Sequence, residues 1–221
     1  MPEANASRPS PGSLIVIPAV ITLAVTLLRL AGELLHWSPL FFSTAPGGGG
    51  ALVGISWLVP VFAIYFGVKL ARAGQAPRRA LRDAGLLVLG IVLLPAAGFV
   101  ATAAGLKGHP LRLLLVFAAV AVATLLLALQ TWPALSRTLL AYAFAARVPV
   151  ALLMLFAILG NWGTHYDAVA PDFPALAPLT KWLWIGLLPQ LTIWIWFTVV
   201  IGGLFGLAAG AIARRGQAKP A

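Results

Sequence analysis

The chain has 221 residues, 61% hydrophobic and 9% charged, with a mean hydropathy of +0.99 and a net charge of +10. A soluble domain is about half apolar and about one quarter charged, and a chain of this size has too little polar surface to cover the excess. The composition therefore excludes a soluble enzyme, a disordered chain and a conventional nucleic-acid-binding domain, and it makes lipid the solvent of most of the protein.

Residues 1–12, rich in Pro and Ser, read as a disordered tail. Six apolar runs then reach the roughly 20 residues needed to cross a bilayer. They are Leu14–Trp37, Ala51–Ala71, Ala84–Ala104, Leu111–Gln130, Thr138–Asn161 and Trp182–Ala213. The runs are continuously apolar instead of alternating, which argues against a β-barrel. The predicted fold is an all-α bundle of six transmembrane helices over residues 13–213, followed by a basic tail at 214–221. Arg29 and Glu33 interrupt the first run, so it does not read as a cleaved signal peptide.

The connections set the expected orientation. Arg8, the group Lys69, Arg72, Arg78, Arg79 and Arg82, then Arg137, and finally Arg214, Arg215 and Lys219 fall on one side of the membrane. Lys107, Arg112 and Lys181 fall on the other. Basic residues concentrate on the cytoplasmic side, so both termini are expected there, in the inner membrane of a cell. The basic loop reads as a topology anchor beside anionic lipid headgroups. It lacks the interleaved aromatics of a nucleic-acid surface. Pro18, Pro60, Pro95, Pro149 and Pro189 lie within or close to five spans and predict kinks. The outer connections are a Gly-rich loop at Gly47–Gly50 and a Pro-interrupted loop at 161–181.

Polar groups inside the spans carry the functional signal. Thr22, Thr26, Arg29, Glu33 and His36 are alternately four and three residues apart, which places them on one stripe of a helix. A charge at the centre of a span costs about 3 kcal/mol on insertion scales, so such residues face a bundle interior or a wet cavity. Arg29 and Glu33 can pair along the helix. Arg147 lies near the middle of the fifth span with no acid on its own helix, and Glu33 is its expected partner, in competition with Arg29. Two guanidiniums against one carboxylate leave a positive charge over, which a bound anion would offset. Arg29, Arg147 and Glu33 are therefore the candidate anion-binding residues. Thr22, Thr26, Gln190, Trp194 and Thr198 are the candidate lining, the last three being spaced by four on the sixth span.

Two further patterns stand out. His36, His109, His165 and Asp167 are expected to meet at the outer rim, with Glu33 and His36 in a Glu-x-x-His spacing that suits one helix face. The Gly202, Gly206, Gly210 series marks a face on which another helix backbone can pack closely, in this chain or in a second subunit. There is no cysteine, no nucleophile elbow, no His-Glu-x-x-His, no phosphate-binding loop and no dinucleotide fingerprint. Neither a cofactor nor a metal is expected. The leading expectation is a small permease or binding protein for an anionic solute or lipid headgroup. Two alternatives stay open: an enzyme acting at the outer face on a lipid or isoprenoid carrier, and a non-catalytic subunit docked through its glycine face. Membrane lipids are the expected partners, and nucleic acid is not.

Overall fold

The computed structural model of the chain describes residues 9–217. Among these the secondary structure is helical, with no strand. The six helices are α1 (Pro11–Leu34), α2 (Leu58–Arg72), α3 (Ala80–Leu106), α4 (Pro110–Ala128), α5 (Pro133–Gly160) and α6 (Pro178–Arg215). All but α2 are long and apolar enough to cross a membrane. The chain is an all-α, multi-pass membrane bundle. The predicted tail at 1–12 lies mostly outside the described residues. Helix α1 starts within it, at Pro11, where Ser10 accepts a hydrogen bond from the Ser13 amide at 3.2 Å.

The second predicted span is corrected. Helix begins at Leu58, not Ala51, and α2 has 15 residues. At 1.5 Å per residue it is about 22 Å long, short of the hydrocarbon thickness of about 30 Å. Gly48 and Gly50 take left-handed backbone at φ +73° and +79°, which ends any helix there. The Leu52 and Val53 amides instead donate to the Leu40 and Phe41 carbonyls, at 3.0 and 3.1 Å. Hydropathy alone could not separate this tethered loop from a helix, because both are apolar.

Helix α6 is irregular in winding. Wide π-helical turns occupy Trp182–Leu187 and Phe197–Ile201, and the backbone breaks at Thr192, with φ −119° and ψ −75°. Pro189 lies three residues before the break and lacks the amide that regular winding would use.

The glycine series of α6 packs against α2 of the same chain. A side chain at Gly67 of α2 would run into the Gly206 backbone, and one at Gly206 would come within 2.7 Å of the Ala63 carbonyl. Trp132 fills the space over Gly210. Close backbone approach of this kind is what small residues permit in lipid, where no hydrophobic force drives helices together. The core beside it is aromatic. Tyr142 of α5 meets Phe62 and Phe66 of α2 edge-on, at ring distances of 5.6 and 5.7 Å. Val16, Ile17 and Val20 of α1 point outward, as suits a lipid-facing surface.

The connections sort to two ends. At the basic end, Trp132 Nε1 donates to Gln75 O at 2.6 Å and Arg214 Nη1 to Pro77 O at 3.0 Å. The loops at 35–57 and 161–177 close the opposite end, where α1 and α5 finish.

Candidate anion-binding cavity

Thr22, Thr26, Arg29 and Glu33 of the α1 stripe are buried, and α1 packs on α5. Thr22 Oγ1 donates to Pro18 O at 2.8 Å and shares a 2.7 Å hydrogen bond with the Tyr142 hydroxyl. Thr26 Oγ1 donates to Thr22 O at 2.9 Å. The Thr22 bond to Pro18 sits at the proline bend, where hydroxyls commonly bond back to the preceding turn. One turn further on, Arg29 Nε donates to Glu33 Oε1 at 2.8 Å, and Arg29 Nη2 donates to Ser43 O and Gly48 O at 3.1 and 3.0 Å.

Glu33 accepts three hydrogen bonds in all. Besides Arg29, it receives the His165 amide at 2.8 Å on Oε2 and the His165 Nδ1–H on Oε1. The expected pairing of Arg147 with Glu33 is thereby corrected, since His165 occupies the place assigned to Arg147. Sequence spacing gave no hint of this, because the pair joins the end of α1 to a loop far along the chain.

Arg147 is 3% exposed. Among the described residues it makes no salt bridge and no side-chain hydrogen bond, and its Nε is buried without a partner. Its guanidinium lies 4.5 Å from the ring centroid of Trp194. A cation over an indole gains about 0.5–2 kcal/mol, which is less than an ion pair would supply in a buried site and leaves the charge itself uncompensated.

Arg147 and Arg29 both line a cavity of about 710 Å³ at the end of the bundle away from the basic loops. Thr26 contributes from α1, Val150 and Met154 from α5, and Trp184, Gln190 and Trp194 from α6. The loop glycines Gly47–Gly50 and the residues His165, Tyr166 and Phe173 close its loop side. Gln190 is 7% exposed, and its Oε1 has no partner. Burial pushes the His165 imidazole below its ordinary pKa, against the opposing pull of Glu33. Burial likewise raises the Tyr166 phenol, which donates to Thr26 O at 3.3 Å.

Of the lining candidates, Thr26, Gln190 and Trp194 border this cavity. Thr22 and Thr198 do not line the cavity. Thr22 is engaged by Tyr142, and Thr198, fully buried, donates to Trp194 O at 2.8 Å. The wide turn at Phe197–Ile201 explains Thr198, because a spacing of four no longer keeps one face where the helix is overwide.

The predicted outer rim does not assemble. Helix α1 ends at Leu34 and His36 turns left-handed at φ 53°, so the Glu-x-x-His spacing no longer shares a helix face. His36 and His109 are exposed, the latter at the start of α4. Asp167 folds its own loop, accepting from the Gly163 and Thr164 amides at 2.9 and 2.7 Å and from the Thr164 hydroxyl at 2.7 Å. No group of three His, Asp or Glu side chains spaced to hold a metal occurs among the described residues.

Sequence reasoning missed Tyr166, Trp184 and the Gly48 carbonyl as parts of the site. Only Tyr166 carried a signal, as the immediate neighbour of His165. The chain matches no protein-family model, no curated protein and no solved structure. The chemistry of the cavity itself is the guide to its function.

Proposed function

We propose that this membrane protein is a small permease or binding protein for an anionic solute or lipid headgroup, held in the cavity around Arg147. The observation that carries this reading is the bare guanidinium of Arg147, buried without a carboxylate and open to a cavity. A buried charge with no counter-ion is costly, and a bound anion offsets it with paired donors from a planar fork. Arg29 adds a second cationic edge to the same wall, and Glu33 and the Ser43 and Gly48 carbonyls hold it in place. The role of Glu33 is to orient Arg29, not to meet the ligand.

The winding of α6 favours a moving part over a static receptor. Gln190 and Trp194 flank the break at Thr192, and transporters commonly place substrate groups at such interrupted helices. With the basic end in the cytoplasm, the cavity faces the outer side of the inner membrane.

The test is uptake by the full chain in proteoliposomes, screened with sulfate, phosphate and small carboxylates. Arg147→Gln is expected to lose at least about tenfold in anion uptake or binding, the value of one charged hydrogen bond. A folded, monodisperse Arg147→Gln protein with wild-type anion uptake would overturn the reading.

A further inference from the structure

Among the described residues, the cavity lining contains Arg29 and Arg147 but neither Asp nor Glu. Glu33 stands behind Arg29 with its side chain fully covered and both oxygens engaged. None of these lining residues offers a carboxylate to an ammonium, so the ammonium of a cation or zwitterion finds no counter-charge there. Arg29 and Glu33 cancel, and His165 is held toward its neutral form by burial. One positive charge remains, that of Arg147. A doubly charged guest would overshoot it.

The remaining walls are apolar. Val150, Met154, Phe173, Trp184 and Ile185 face the same space. The volume of about 710 Å³ lies within the range of organic-ligand pockets, about 300–1,000 Å³, and is far too large for a bare inorganic anion to fill. The Arg147 guanidinium, 4.5 Å from the Trp194 ring centroid, carries parallel N–H donors that suit an oxyanion.

We infer that the ligand is an amphiphilic monoanion: one singly charged oxyanion head at Arg147, and an apolar body about the size of a phenylalkyl group against Met154, Phe173 and Trp184. The inference rests on the anion reading of the cavity and narrows it. Either a free carboxylate or the phosphodiester of a lipid supplies this head chemistry.

The experiment is calorimetric titration of the full chain in detergent. The probes are 3-phenylpropionate, 3-phenylpropanol, 3-phenylpropylamine, sulfate and a short-chain phosphatidylglycerol. The alcohol controls for partition into the micelle. 3-Phenylpropionate is expected to bind at least about tenfold tighter than the alcohol, which offers Arg147 no charged acceptor, and than sulfate, which carries a second charge and no apolar body, with the amine weakest. Arg147→Gln is expected to erase that preference. Phe173→Ala, in a loop outside the helices, should weaken 3-phenylpropionate and leave any sulfate affinity unchanged, and it keeps the test open if Arg147→Gln does not fold. Binding of phosphatidylglycerol in place of 3-phenylpropionate would assign the head to lipid and still support a monoanion. Sulfate binding as tightly as 3-phenylpropionate through Arg147 would overturn the inference and leave the anion reading standing. Absence of any Arg147-dependent anion binding would overturn both.

Discussion

Glu33 and His165, 132 positions apart in the chain, are joined twice: the His165 amide reaches one carboxylate oxygen and its ring the other. This double contact ties the loop after α5 to the end of α1 and seats Arg29 beside the cavity. The carboxylate is thus the hub of the end away from the basic loops. Its charge balances Arg29 and its geometry selects the tautomer of His165 with hydrogen on Nδ1.

Glu33→Gln should therefore be strongly destabilising. It keeps the shape of the side chain but strips the counter-charge from a buried guanidinium, a change that costs about 3–5 kcal/mol when one partner of a buried pair is lost. A melting temperature in detergent equal to that of the wild type would contradict this account.

Stability should also fall in mild acid. Burial lowers the folded-state pKa of His165 below the unfolded value of about 6.5. Below that value the unfolded chain binds the proton more readily than the folded one, so stability present above about pH 6.5 is lost as pH drops toward the folded pKa. Melting curves from about pH 7.5 to about pH 5.5, roughly one unit either side of the ordinary histidine value, read the slope. His165→Gln should flatten it, and an unchanged slope in that variant would assign the acid sensitivity elsewhere.

The contact between α2 and α6 predicts opposite outcomes for two glycines. Gly206→Ala places a methyl group 2.7 Å from the Ala63 carbonyl, and backbone cannot give way cheaply, so a loss of about 1–3 kcal/mol is expected. Gly85→Ala in α3 meets nothing within 4 Å and should be neutral or stabilising by up to about 1 kcal/mol, through helix propensity alone. Chemical denaturation in mixed micelles compares the two directly.

Arg147→Met should raise stability in the absence of any anion. The substitution removes a buried charge that has no partner and keeps a side chain of similar length against Trp194, so a gain of about 1 kcal/mol or more is expected. The same variant should lose all stabilisation by added ligand. A lower melting temperature for Arg147→Met would mean that the guanidinium is a structural element and not a vacant receptor.

Much of the membrane architecture is legible residue by residue. Burial in lipid rewards apolar side chains and penalises charge at each position separately, so runs such as Leu111–Gln130 and an intruder such as Arg147 stand out without knowledge of their neighbours in space. The same local logic misjudged 51–57, where glycines bend an apolar stretch into a tethered loop, and Thr198, where a wide turn rotates the face. Partnership is different. Whether Glu33 meets Arg147 or His165, whether the Gly206 face meets α2 or another subunit, and where the Arg147 guanidinium points depend on how helices and loops distant in sequence are laid together. A hydrogen bond forms or fails within a few tenths of an ångström, and only the packed bundle sets positions that finely.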